Sequence, residues 1–369
     1  MQSRARMKSV SEPTSQSLRH RRRALAVALL GLVAISVTGC AGDAATEAAA
    51  WSPSGGPRGL VTGLAVSPAK PEIIYATVSD RGLFKSTDGG RTWRRPANTG
   101  LPPDLNVQGA PIVGKYSVCC VAVHPDVPMT VYAISGPSSE VVKSTDGGRR
   151  WRVTEEFNSV NGLAINPQNP AIVYAVGWQG VFKTRDGGRN WRDASTGLPE
   201  DVLTAVALDP QRPERLSIGT EEGDVWKTRN GGRSWGYAGS AGYFDEVLAL
   251  AIDPDEPETI YAGTDGAGIA KSTDIDPWEA ANTGLPGESD IEDDVLSVYA
   301  LALDARSPET IYAAAGESRV FRSKDAGKSW HSLNAGLENR SVYHLAFGAD
   351  GRVLYAGTSN GVFAYRSSG

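Results

Sequence analysis

"KSTDGGRTW", residues 85–93, decides how this chain is read. An Asp beside two glycines, flanked by basic residues, fits a metal loop, a phosphate cradle, a catalytic carboxylate or a tight turn. One occurrence does not choose among them. The stretch recurs as "KSTDGGRRW" ending at Trp151, "KTRDGGRNW" at Trp191, "KTRNGGRSW" at Trp235 and "RSKDAGKSW" at Trp330. "KSTDIDPW", ending at Trp278, is a shortened copy without the Gly pair. The Trp-to-Trp spacings are 58, 40, 44, 43 and 52 residues. A unit of roughly 40 to 50 residues is the period of a propeller or solenoid. Repeated copies of a single catalytic residue make little chemical sense, so the repetition assigns the Asp to the fold.

The rest of the unit agrees. Each copy is preceded by an apolar run with Tyr, such as "IIYAT", "IVYAV" or "TIYAG". Before that comes a Pro turn, such as "SPAKPE" or "DPDEPE", and before that a further apolar run, such as "VTGLAV" or "LTAVAL". These runs are short, rich in Val, Ile and Tyr, and bounded by turn residues, as strands are. No segment between them keeps a helical period. The unit reads as four antiparallel strands, and radial repetition of such units is an all-β propeller.

The box joins the third strand to the fourth. Its Gly pair supplies positive φ for the turn. The Asp accepts turn N–H groups that no strand satisfies, and the Trp wedges apolar area against the sheet. On this reading Asp88, Asp146, Asp186, Asn230, Asp274 and Asp325 are structural clasps. Trp93, Trp151, Trp191, Trp235, Trp278 and Trp330 are their packing partners, and the basic residues around them stay in solvent. The last unit stops at "GVFAYRSSG", where its box is due, while "WSPSGGPR" (51–58) reads as an orphan outer strand. The expectation is therefore a single seven-bladed propeller of four-stranded antiparallel blades over 51–369, closed by the N-terminal strand in the last blade. Closure leaves no open sheet edge.

The repeated S/T-x-D-x-G-x-x-W resembles the Asp-box (BNR) repeat of sialidases, xyloglucan-degrading propeller enzymes, sortilin-type receptors and photosystem II assembly factors. The resemblance spans nearly the whole chain after residue 50. It implies the fold; since one fold hosts unrelated activities, it leaves function to the site.

Residues 1–39 read as a bacterial lipoprotein signal. "RHRRR" (19–23) is a positive segment, "ALAVALLGLVAISV" (24–37) is apolar but short for a spanning helix, and "VTGC" resembles a lipobox ending at Cys40. An ordinary signal peptide with a chance Cys is the alternative. Residues 40–50 read as a flexible tether. The expected location is the bacterial cell envelope, outside the cytoplasm and lipid-anchored to a membrane. Without residues 1–39, 30 basic residues face 41 acidic ones, and the formal charge moves from −5 to −11. That balance argues against a nucleic-acid partner.

Cys119 and Cys120 are neighbours in an inner strand and read as small buried hydrophobes, with a vicinal redox pair as the alternative. His124, His331 and His344 show no metal-ligand spacing, and no metal or cofactor is expected. There is no phosphate loop and no nucleophile elbow.

Pro turns and boxes share one face, so function is expected on the other, where the loops vary. Candidate carboxylates there are Glu155, Glu156, Asp201, Asp245, Asp290 and Glu292; candidate binding residues are Trp178, Tyr243 and Arg81. Two readings follow. The first is a monomeric binding or scaffold module for a protein or glycan. The alternative is a glycoside hydrolase, sialidase-like or xyloglucanase-like, with two carboxylates flanking a sugar bond. The sequence has no F/Y-R-I-P motif and no second propeller to form a cleft, and an assembly-factor-like basic patch is not apparent.

The lipobox reading has a direct outcome: Cys40→Ser releases the protein or leaves it unprocessed. It is checked by lipid labelling, and labelling that persists in the variant contradicts it.

Overall fold

The structure is a computed structural model, and it describes residues 50–79, 81–97, 121–135, 140–157, 160–242, 245–273, 277–286, 296–315, 319–348 and 351–366. Cys40, the leader and tether, Cys119, Cys120 and Asp274 lie outside the described residues. Within them the chain is all-β, in consecutive antiparallel meanders: inner strand, Pro turn, second strand, hairpin, third strand, box, outer strand.

The expected count of seven separate four-stranded blades is corrected. The described strands form six hydrogen-bonded sheets, of which five have four strands or more. Two local causes account for this. The sheet beginning at Val61 has three strands, because its outer position shrinks to a single bridge, Lys85↔Arg94. The sheet containing Thr259–Gly266 has eight strands, because that strand also pairs with Leu296–Leu303 of the next unit at Asp265↔Ser297 and Gly266↔Leu296. The N-terminal strand does close the last sheet: Trp51–Pro53 runs antiparallel to Gly361–Arg366, with Trp51 opposite Tyr365 and Pro53 opposite Phe363.

Second strands are buried along their whole length, as in Ile74–Val78, Val173–Gly177 and Ile311–Ala315. They read as continuous apolar runs because neighbouring units cover both faces. The core is accordingly a series of layers between units. One layer packs Tyr75 and Leu83 of one unit against Val121, Val131, Val142 and Trp151 of the next. Another packs Trp51, Leu354 and Phe363 against Tyr312, Ala314 and Val320.

The box works by hydrogen-bond closure. Ser86 Oγ donates to Asp88 Oδ1 (2.8 Å) and accepts from Gly90 N (2.9 Å), and Asp88 Oδ1 accepts from Thr92 N (2.8 Å). Gly89 and Gly90 have φ of 68° and 82°, the left-handed region that L side chains avoid. The same bonds recur at Ser144–Asp146–Arg150, Thr184–Asp186–Asn190 and Ser323–Asp325–Ser329. Asn230 does the same work, with its Nδ2 donating to Ser234 Oγ (2.8 Å).

The expectation that the basic residues of the box stay in solvent fails for the leading lysine of three copies. It lies opposite the second-strand Tyr, stacks on that ring and reaches the next unit's box. Lys143 Nζ is 4.9 Å from the Tyr132 ring and donates to Gly187 O (2.9 Å); Lys183 does the same with Tyr174 and Gly231 O (2.7 Å). Lys271 stacks on Tyr261 and donates to Ala326 O (3.1 Å). Burial lowers the pKa of Lys183 to about 8, with Arg185 and Arg233 adding to the shift. Four Trp side chains reach the other way, whereas Trp151 Nε1 donates to Gly148 O of its own box. Trp235 Nε1 donates to Ala194 O, Trp278 Nε1 to Ala238 O, Trp330 Nε1 to Ala281 O and Trp51 Nε1 to Leu333 O, at 2.7 to 2.9 Å.

These bonds set separable costs. Trp330 is 2% exposed. Trp330→Phe removes one such hydrogen bond and lowers stability by about 1 kcal/mol, whereas Trp330→Ala opens the layer and costs about 3 to 5 kcal/mol. Denaturant melts of the two variants check the ratio; no loss in Trp330→Phe would mean that the indole N–H contributes nothing, and equal losses would mean that the ring's packing adds nothing beyond it.

Candidate functional site

In a four-stranded meander the first and third connections lie on one face, the second connection and the link to the next unit on the other. Boxes and Pro turns therefore share a face. The candidate residues belong to the opposite one, with the mouth of the space enclosed by the inner strands.

Glu155 and Glu156 are exposed at the end of the outer strand Arg152–Glu156, opposite Val141 and Glu140. Asp201 sits before the inner strand Leu203–Leu208, and its Oδ1 accepts from Val202 N at 2.6 Å. Asp245 precedes the inner strand Val247–Ile252 and lies under a neighbouring hairpin: a Cβ on Gly266 would stand 2.8 Å from its Oδ1. The candidate acids thus belong to three different units, one group on an outer strand and the others on links to inner strands. Asp290, Glu292 and Tyr243 lie outside the described residues. Among the described residues no group of three or more His, Cys, Asp or Glu is arranged to hold a metal ion.

Trp178 stands at the tip of the hairpin between Val173–Gly177 and Gly180–Thr184 and is 68% exposed. Arg81 is occupied: its Nη1 donates to Arg58 O (2.8 Å) and its guanidinium lies 5.7 Å from the Phe84 ring centroid.

Charge on this face is segregated. The outer strand ending in Glu155 and Glu156 leads into a stretch of hairpins and links that also carries Glu200, Asp201, Glu221, Glu222 and, further round, Asp245, Glu246 and Asp265. On this face, the described hairpins and links from Phe157 to Gly268 hold no Lys or Arg. Arg319, Arg340, Arg58 and Arg81 occupy the other side.

The inner strands contain residues that the sequence reading did not single out. Register shifts fall at the second residue of the apolar run in six of them, at Thr62, Asn161, Thr204, Leu248, Tyr299 and Tyr343. Tyr299 and Tyr343 are half-buried neighbours with ring centroids 5.4 Å apart. Beside them His344 has its pKa pushed down to about 4 by burial, so it is neutral at pH 7. Aligning "VTGLAV", "LTAVAL", "VLALAI", "VYALAL" and "VYHLAF" on their second letter would have exposed the change from Thr and Leu to Tyr.

No family model matches the chain. A dispase autolysis-inducing protein from Streptomyces mobaraensis is 29% identical over 227 residues, covering 45% of this chain and 60% of that protein. A probable oligoxyloglucan-reducing end-specific xyloglucanase from Neosartorya fischeri is 30% identical over 156 residues, covering 39% of this chain and 17% of that protein. The chain therefore spans less than two thirds of either relative. Among solved structures, a GH74 xyloglucanase from Xanthomonas campestris superposes with a TM-score of 0.69 at 18% identity, over 87% of this chain and 54% of that one. YCF48 bound to a D1 peptide superposes with a TM-score of 0.62 at 16% identity, over 88% of this chain and 99% of that one. At these identities the likeness is one of fold: an all-β propeller. Among the described residues no helix is long and apolar enough to cross a membrane.

Proposed function

We propose that the chain is an exported binding module that presents the face opposite its boxes to a protein with a basic surface. One observation carries this reading: a broad arc of that face bears only acidic charge in its described loops, with a tryptophan 68% exposed on the same arc. Like charges gathered on one sector are left in place where a complementary surface is to be steered in. An exposed indole offers that surface an apolar anchor. A relative named for inducing autolysis of dispase, itself a protein, and a neighbour bound to a peptide support a protein ligand. Cys40, as a lipid-bearing N-terminus, would hold the module at a membrane.

The alternative is a glycoside hydrolase, favoured by the xyloglucanase relative and neighbour. Its chemistry needs two carboxyl groups roughly 5 Å or 6.5 to 9.5 Å apart. The described candidate acids belong to separate units, and the enzyme neighbour is matched over 54% of its length.

The test is capture of partners from the culture medium by cross-linking, with wild type, Trp178→Ala, the pair Glu221→Lys and Glu222→Lys, and the box-face control Lys328→Glu. The expected result is a basic protein captured by wild type and the control, lost in the other two, and weakened by added salt. Capture that is indifferent to the charge reversals, or hydrolysis of xyloglucan oligosaccharides by the wild type, would contradict the proposal.

A further inference from the structure

Resting on that reading, we propose that the rim where Thr259–Gly266 meets Leu296–Leu303, together with the Tyr299–Tyr343 pair, takes an arginine side chain of the partner.

Three features converge there. First, the shifted second position of the inner strand is used for packing in other units: Thr204 Oγ1 donates to Val247 O (2.7 Å) in the next unit, and Leu248 is 6% exposed. At Tyr299 and Tyr343 the same position carries large rings, half-buried, inclined at 64° to one another. Register shifts re-aim side chains and gather near functional sites. Second, this is the one place among the described residues where a ladder joins two units. Both strands run to eight residues to make it. The ladder draws the hairpin after Asp265 onto the neighbouring unit, two residues before Tyr299. Third, the drawn-in hairpin starts from one carboxylate, Asp265, and is tightly fitted. Asp265 Oδ1 accepts from Ser297 Oγ, pairing the two strands through their side chains. Gly266 adopts φ 143° with no room for a Cβ against the Asp245 carboxylate, so the approach depends on glycine. Glu246, next along, is 8% exposed and precedes the inner strand.

Asp265 is held at Ser297, two residues before Tyr299, so a carboxylate and an aromatic pair share this rim, and the two together suit a cation. A planar guanidinium suits them best, since it can stack on a ring while its N–H groups reach a carboxylate in a fixed fork. Lysine offers a point charge without the plane. Arg340, on the next link, is held elsewhere: it lies 4.8 Å from the Phe363 ring centroid and donates to Glu338 O.

The experiment follows tyrosine ring signals by NMR in protein carrying ring-labelled tyrosine. Tyr299→Phe and Tyr343→Phe assign the two resonances. The probes are the tripeptides Gly-Arg-Gly, Gly-Lys-Gly and Gly-citrulline-Gly, and cellotriose. The expected result is a saturable shift of both rings with the arginine peptide, a weaker one with lysine, and none with citrulline, which has the shape without the charge. Tyr299→Ala and Asp265→Asn weaken binding of the arginine peptide by about fivefold or more, while Tyr299→Phe keeps it. Absence of a shift in the wild type, an equal shift with citrulline, or a shift with cellotriose alone would overturn the proposal. The two readings fail separately. If partner capture is lost on charge reversal at Glu221 and Glu222 while the arginine peptide shifts nothing, only this site is wrong. If the peptide binds and capture ignores those reversals, only the wider docking face is.

Discussion

The grip of one unit on the next, made at the box, is what the rest of the molecule depends on. Lys143 and Lys183 cross to a glycine carbonyl of the following box, and Trp235 and Trp330 reach back to a carbonyl of the preceding outer strand. A sheet of this size cannot bury both faces alone, so each unit is stable only between neighbours. The box turn must therefore present its carbonyls in a fixed geometry. The Ser/Thr–Asp–Gly–Gly arrangement does that by satisfying its own turn N–H groups internally. Where the copy is degraded, at "KSTDIDPW", Lys271 still reaches forward to Ala326 O and Trp278 still reaches back to Ala238 O. The reach of this copy's own Lys and Trp outlasts the loss of its glycine pair.

Confining the grip to one face frees the other. Boxes and Pro turns hold the ring, so loops on the far side vary in length and charge without cost to the layers between units. The acidic arc, Trp178 and the Tyr299–Tyr343 pair occupy that side. The ladder at Asp265↔Ser297 is the exception to separate units, and it lies on the variable face, where an extra constraint has no role in closing the ring.

Much of this was legible in the sequence. Strand order, the box turn, and the pairing of Trp51–Pro53 with the last strand follow from repeat spacing and from one unit lacking its box. The seven-blade count was not reliable, because repeat counting assumes separate four-stranded sheets. It cannot see one outer strand shrinking to the Lys85↔Arg94 bridge, or two strands lengthening until they join. Lys143 and Lys183 were misread as solvent-facing: their burial depends on the neighbouring unit, which a local pattern does not contain. Of the site residues, the position of Trp178 at a hairpin tip was readable, whereas Tyr299 and Tyr343 looked like ordinary strand aromatics until the inner strands were aligned with one another.

The ionised clasp is the part of this account most open to direct measurement. Hydrogen bonds from Thr92 and Ser86 hold the Asp88 pKa at about 2, and those from Ser329 and Ser323 do the same for Asp325. An unfolded Asp titrates near 4. A folded pKa below the unfolded one means that the unfolded chain binds more protons as pH falls. The stability from the clasps is therefore fully present above about pH 4 and is lost as pH falls toward 2. The measurement is the melting temperature between pH 6 and pH 2, for wild type and for the double variant Asp88→Asn, Asp325→Asn. Asn has no carboxylate to titrate and, as Asn230 shows, closes the same turn. The account predicts a fall in wild-type melting temperature between pH 4 and pH 2 that is shallower in the variant. Parallel curves would contradict it, since the carboxylates would then contribute nothing to the folded ring.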